Sequence, residues 1–172
     1  KVENITFNGW VIDIGTAETA FLSLMEVPRF VNKNELEEVM DIGEMVVSKV
    51  WNINRRGIDL TIKSRGLGRI EDGMIVEVNP NKVPRVIGKE GSMINLIKDE
   101  TGCNITVGQN GLIWIQGNTV DDELFAKKAV MFVVEKSFVS GLTEEVKKWF
   151  EKNSNGKKKK ERISEELEWL QK

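Results

Sequence analysis

The chain has no histidine and a single cysteine. Without imidazole, acid–base catalysis at neutral pH loses its usual side chain. Cys103 alone cannot build a zinc site or an internal disulfide, which fits a reducing compartment. It lies beside an apolar strand and is expected in the core. There is no run of 18 apolar residues and no signal-peptide pattern. A cytoplasmic location and no membrane partner are therefore expected. Net positive charge is also lacking: 25 Lys and Arg stand against 27 Asp and Glu, a formal charge of −2. This is not a globally basic nucleic-acid binder. These absences point to no catalytic residues, no metal and no cofactor. The opening Lys1-Val2-Glu3-Asn4 carries no initiator Met, which predicts a fragment with more chain upstream.

What is there fits one or two small soluble domains. The 172 residues are 40% apolar and 30% charged. Charge is uneven. Residues 1–50 hold 4 Lys/Arg against 9 Asp/Glu, whereas residues 54–69 hold Arg55, Arg56, Lys63, Arg65 and Arg69 against Asp59 alone. Such a stripe can steer RNA while the opposite surface stays acidic.

Residues 1–65 read as five short strands. Ile5-Thr6-Phe7 meets an Asn8-Gly9 turn, and Trp10 to Ile14 alternates at period two up to Gly15. Ala20 to Leu24 is a third strand. Asn34 to Met40 reads as a short helix with Asn34 as N-cap. Glu44 to Trp51 is a fourth strand, Arg55-Arg56-Gly57 a turn, and Ile58 to Lys63 a fifth. Five strands with a helix before the fourth suggest a small closed barrel of the OB type.

After a short linker, Gly66 to Arg69, the pattern changes. Met74 to Val78 is a strand. Val83-Pro84-Arg85-Val86-Ile87-Gly88-Lys89-Glu90-Gly91 then leads into an amphipathic helix through about Glu100, closed by Gly102. Gly88 and Gly91 let a phosphate approach the backbone without meeting a β-carbon. The helix that follows turns its unpaired N–H groups and positive dipole end toward the same point. Asn104 to Val107, a Gly108-Gln109-Asn110-Gly111 turn, and Leu112 to Ile115 form a hairpin. A long helix follows through about Phe138, capped by Asp121 or Asp122; capping suffices to explain that acidic cluster. Trp114 is expected in the core. The order strand, helix, GXXG, helix, strand, strand, helix is that of a type I KH fold, whose GXXG loop clamps about four backbone nucleotides. Thr143 is expected to cap a trailing helix. Lys157–Lys160 reads as a solvated run, and Ile163, Leu167 and Leu170 allow a last short helix.

The ordered set resembles the RNA-binding cap subunits of the archaeal exosome. Phe7 to Gly15, Ala20 to Leu24 and Gly57 to Arg65 are similar to pieces of an S-one domain. Gly108-Gln109-Asn110-Gly111 is similar to the glycine-any-asparagine-glycine signature of exosome cap proteins. The resemblance covers about residues 1–150, and the chain is expected to divide into three parts. These are a truncated S-one barrel over 1–65, a KH domain with a trailing helix over 70–150, and a charged tail over 151–172. The resemblance implies that an N-terminal docking domain and the start of the first barrel strand lie outside the chain. Ser23 stands where many S-one domains place His, and Glu90 sits inside the GXXG where a second basic residue is more usual.

Within that frame Arg85, Gly88, Lys89 and Gly91 are expected to contact RNA from the KH loop. Phe7, Trp10, Phe21, Arg55, Arg56, Lys63 and Arg65 are expected to do so from the S-one face. For Phe7, Trp10 and Phe21 core packing is the alternative; for the cations it is plain solubility. Gly108, Asn110 and Gly111 are expected to be structural, holding a tight hairpin. The resemblance implies a non-catalytic subunit, three copies of which sit on a hexameric ring of RNase PH-like subunits. It would capture single-stranded RNA and tether it to the ring, which performs phosphorolysis. The alternative is an S-one/KH transcription or translation factor that binds single-stranded RNA.

Overall fold

In a computed structural model, residues 1–55 and 57–153 are described, and they divide into two units, Lys1–Asp72 and Gly73 onward. Arg56, Lys157–Lys160 and the helix expected around Ile163, Leu167 and Leu170 lie outside the described residues.

The first unit is built on strands β1 (Val2–Thr6), β2 (Gly9–Ile12), β3 (Ala20–Ser23), β4 (Val46–Val47), β5 (Lys49–Asn54), β6 (Gly57–Thr61) and β7 (Gly68–Arg69), with one helical turn, α1 (Leu36–Val39). Five strands form a mixed sheet in the order β1-β2-β3-β6-β5; only β3 and β6 run parallel. Alternation sorts the faces. Trp10, Ile12, Ala20, Leu22 and Leu60 point inward onto Val27, Val31, Leu36 and Met40. Phe21, Ser23 and Asp59 alternate to the other face.

The expected closed barrel is not a continuous ladder: β1 and β5 are the two outer strands of the sheet. Next to β1, Val2 exchanges backbone hydrogen bonds of 2.8 Å with Gly43 and Glu44. The expected fourth strand divides at Ser48. Its first part, β4, pairs antiparallel with β7, so Gly68-Arg69 is a short strand instead of linker. The expected 34–40 helix shrinks to α1. Glu35 stands at its N-cap without a side-chain bond, because Asn32, not Asn34, is fixed to Glu35 Oε1 at 2.8 Å.

The second unit contains β8 (Met74–Glu77), α2 (Val83–Ile87), α3 (Ser92–Thr101), β9 (Asn104–Val107), β10 (Leu112–Gln116), α4 (Val120–Glu135) and a helix α5 over 142–153. The expected order is the observed one. The antiparallel sheet runs β8-β10-β9. Val76, Ile105, Ile113 and Ile115 pack beneath Val83, Val86, Ile97, Ala126, Ala129 and Val133. Gly102 ends α3 in the left-handed conformation, as expected. Cys103 is buried, as expected.

Three details differ. Thr119, not Asp121 or Asp122, caps α4: its Oγ1 accepts the Asp122 N–H (3.2 Å) and donates to Asp122 Oδ2 (2.8 Å). Thr119-x-x-Asp122 has the spacing that could have revealed it. Gly141, not Thr143, supplies the carbonyl that accepts from Glu144 and Glu145 at the start of α5. Trp114 lies on the half-buried face of β10, opposite the core-facing Ile113 and Ile115. Helix α5 completes the unit's core with Leu142, Val146 and Phe150, and Trp149 stacks on Phe125 and Phe132 at 5.5 and 5.6 Å. Among the described residues no helix is long and apolar enough to cross a membrane.

Candidate nucleic-acid interface

The turn between α2 and α3 is fixed from beneath. Val83 and Val86 anchor α2 in the core, and Met93 and Ile94 anchor α3. The Gly88 N–H closes α2 on Pro84 O at 3.0 Å. Gly88 then takes φ +75°, ψ 174°. A β-carbon there would stand 2.7 Å from Met93 N and Cβ, so both conformation and space demand glycine. Gly91 differs. Its φ of +80° favours glycine, but a β-carbon there would meet nothing closer than 3.6 Å. Between them Glu90 adopts φ +53°, the only positive φ outside glycine among the described residues. A non-glycine residue in that region is strained by about 1–2 kcal/mol, and such strain persists only where its surroundings over-determine it.

Three consequences bear on binding. No side chain caps the N-terminus of α3; the Ser92 N–H turns back to Lys89 O, and the positive end of the helix dipole lies at the turn. Lys89 and Arg85 are both exposed, one in the turn and one on the last turn of α2. Glu90 is exposed as well and offsets one of those charges. The site is a backbone cradle with modest positive charge.

Gly108, Asn110 and Gly111 form a structural knot. Gly108 and Leu112 close the hairpin at 2.8 Å, and Gly111 N–H returns to Gly108 O at 3.1 Å. Asn110 Oδ1 accepts from Leu112 N at 3.3 Å. Gly111, at φ +87°, hands its carbonyl to Val78 N at 2.8 Å and leaves no room for a β-carbon against Val78 O. The turn thereby ties the β9–β10 hairpin to the end of β8.

In the first unit the structure sorts the expected contacts. Trp10 is wholly buried, and its Nε1 donates to Met40 O at 2.9 Å. It is a core residue and presents no face for a base, which corrects the expectation. Phe7 is 76% exposed, with Lys33 Nζ 5.9 Å from its ring centroid. Phe21 is half-buried; a β-carbon on Gly9 would lie 3.0 Å from its ring, so Gly9 gives the ring its seat. Arg55 and Arg65 are exposed. Lys63 pairs with Glu26 at 3.4 Å, and Arg69 with Glu44 at 2.9 Å. Two cations of the basic stretch therefore meet acids of residues 1–50, and the stripe is less positive than its composition. Hydrogen bonding from Thr61 and the Lys63 ammonium, against a smaller opposing effect of burial, holds the Glu26 carboxyl below its ordinary range. Beside Phe21, Asp59 Oδ2 accepts from Asn52 at 2.9 Å and Asn54 at 2.8 Å, a polar bridge that sequence reading missed because it joins two strands.

The second unit, with its glycine-bracketed turn, contains a KH domain: the family model described as KH domain matches residues 73–121. The chain is 41% identical over 148 residues to the exosome complex component Rrp4 of Methanothermobacter thermautotrophicus, covering 86% of this chain and 47% of that protein. It is 40% identical over 167 residues to its counterpart in Methanosarcina mazei, covering 96% and 62%. The crystal structure of a protein assigned as an exosome complex RNA-binding protein superposes with a TM-score of 0.79 at 32% identity, covering 91% of each chain. The chain belongs to the Rrp4 family of exosome components. It spans about half the length of the first two curated relatives it matches.

Proposed function

We propose that this protein is a non-catalytic RNA-binding subunit of an archaeal exosome. It captures single-stranded RNA and tethers it to the phosphorolytic ring. The observation that carries the reading is the cradle at Gly88–Gly91: a sterically enforced glycine, an uncapped helix start and an exposed lysine are what a sugar-phosphate backbone requires. Arg85, Gly88, Lys89 and Gly91 hold phosphates. The first unit is read as an S-one domain of the OB type. Support comes from its strand order with one parallel pair, which suits a partly open five-stranded barrel. Phe7 and Phe21 offer stacking surfaces there, and Arg55, Arg56, Lys63 and Arg65 supply charge.

Three copies on a hexameric ring of RNase PH-like subunits, in the cytoplasm, would raise the effective RNA concentration at the ring's active sites. The relatives' names support an exosome as the partner; the ring and the three copies are what the family resemblance implies. Reconstitution with ring subunits tests it: the chain should speed degradation of single-stranded RNA by the ring and show no nuclease activity alone. Recovery of the chain with ribosomes or RNA polymerase, and none with ring subunits, would favour the factor reading instead.

A further inference from the structure

The segment that follows β3 has a character that folding does not explain. Val27 and Val31 are buried in the core of the first unit, so the chain between them is pinned at both ends. Between them the surface carries Arg29 and Phe30, the latter 88% exposed, and Met25, two residues before Val27, is 76% exposed. A hydrogen bond of 2.9 Å from Leu24 N to Asn8 O ties the segment to the β1–β2 turn. Lys33 reaches over the ring of Phe7 from the same segment. Exposed aromatic and thioether side chains thus stand on a scaffold fixed by buried neighbours.

The charges decide what such a surface suits. Of the two acids of the segment, Glu26 is paired with Lys63 at 3.4 Å, and Glu35 is held by the Asn32 amide at 2.8 Å at the start of α1, keeping its charge. Among the described residues Arg29 and Lys33 form no ion pair. Unpaired cations interleaved with exposed rings are what a single-stranded nucleic acid uses, with phosphates on the cations and bases on the rings.

We propose that Phe7, Met25, Arg29, Phe30 and Lys33 form a second contact for single-stranded RNA, in which Phe7 and Phe30 stack bases and Arg29 and Lys33 hold phosphates. The inference rests on the RNA-binding reading above and adds a site to it; only Phe7 among these was expected from the sequence.

The test uses the whole chain and a fluorescein-labelled single-stranded RNA of mixed sequence, read by anisotropy at low salt. The Arg29→Ala/Phe30→Ala/Lys33→Ala variant should keep the melting temperature, since its side chains are exposed. It should lose at least about fivefold in affinity, the scale of one stacked base. Photo-crosslinking should recover RNA on the peptide carrying Phe30. Affinity within twofold of the unaltered chain, or crosslinks confined to other peptides, would overturn the inference while the cradle reading stands. So would unchanged RNA affinity with lost binding to ring subunits, which would make the patch a protein interface. Failure of the unaltered chain to bind RNA at all would instead overturn the reading beneath it.

Discussion

Gly88 sits directly against the first turn of the following helix: a β-carbon at 88 would stand 2.7 Å from both the backbone nitrogen and Cβ of Met93. At Gly91, three residues on, a β-carbon would meet its neighbours only at ordinary van der Waals distance, 3.6 Å or more. The two glycines of the loop are therefore not equivalent. Gly88→Ala should push α3 away from α2, lowering the melting temperature and weakening single-stranded RNA binding about tenfold, the loss of one charge-assisted contact. Gly91→Ala pays only for its backbone conformation, about 1 kcal/mol, and should keep most of the affinity. Thermal unfolding and anisotropy titration of the two variants side by side check this.

Trp10 predicts a loss of stability without a loss of RNA contact. Trp10→Phe leaves Met40 O without its 2.9 Å donor in a buried site, a cost of about 1–3 kcal/mol. Denaturant unfolding should register it, and the RNA affinity of the folded fraction should be unchanged. A selective loss of affinity would return Trp10 to the binding surface.

The glycine-asparagine-glycine turn should behave likewise. Asn110→Ala removes the acceptor for Leu112 N, and Gly111→Ala drives a methyl into Val78 O. Both should lower the melting temperature, Gly111→Ala far more, and neither should alter the salt dependence of RNA binding.

Glu26 gives a pH dependence with a definite sign. Its folded-state carboxyl titrates below the ordinary glutamate range because Thr61 and Lys63 favour the ionised form. The folded state thus binds its proton less readily than the unfolded one, and the stabilising contribution is present at neutral pH. It is lost as pH falls from the ordinary glutamate range through the lower folded value. Thr61→Val should flatten the stability profile in that acidic window, lowering stability at neutral pH and leaving it unchanged below the window.

Much of this was legible in the sequence because it is local. Turn chemistry fixed where the GXXG loop and the 108–111 hairpin fall, and periodicity gave the strand-helix order of the second unit. What was not legible depends on distant partners. Alternation put Trp10, Ile12 and Ile14 on one face, but only the burial of Leu36 and Met40 beneath it decides that this face is inside. The charge of residues 54–69 looked free, yet Lys63 meets Glu26, which lies 37 positions away in the chain. The fourth strand was read as one piece because nothing in Glu44 to Trp51 announces that Gly68-Arg69 will claim its first half. Arg29, Phe30 and Lys33 were passed over because a short irregular segment shows no period; Val27 and Val31, four apart and both apolar, were the signal that it is held in place.

The central claim is that the cradle at Gly88–Gly91 grips the backbone of single-stranded RNA. Its most direct measurement is a salt-titrated anisotropy assay of the whole chain, comparing the unaltered protein with Arg85→Ala/Lys89→Ala. Each lost phosphate contact on a single strand should lower the slope of log affinity against log salt by about 0.7. The account predicts preference for single strands over a duplex of the same sequence, about tenfold weaker binding by the variant at low salt, and a slope reduced by one to two such steps. Equal affinity and equal slope for the two proteins would contradict it.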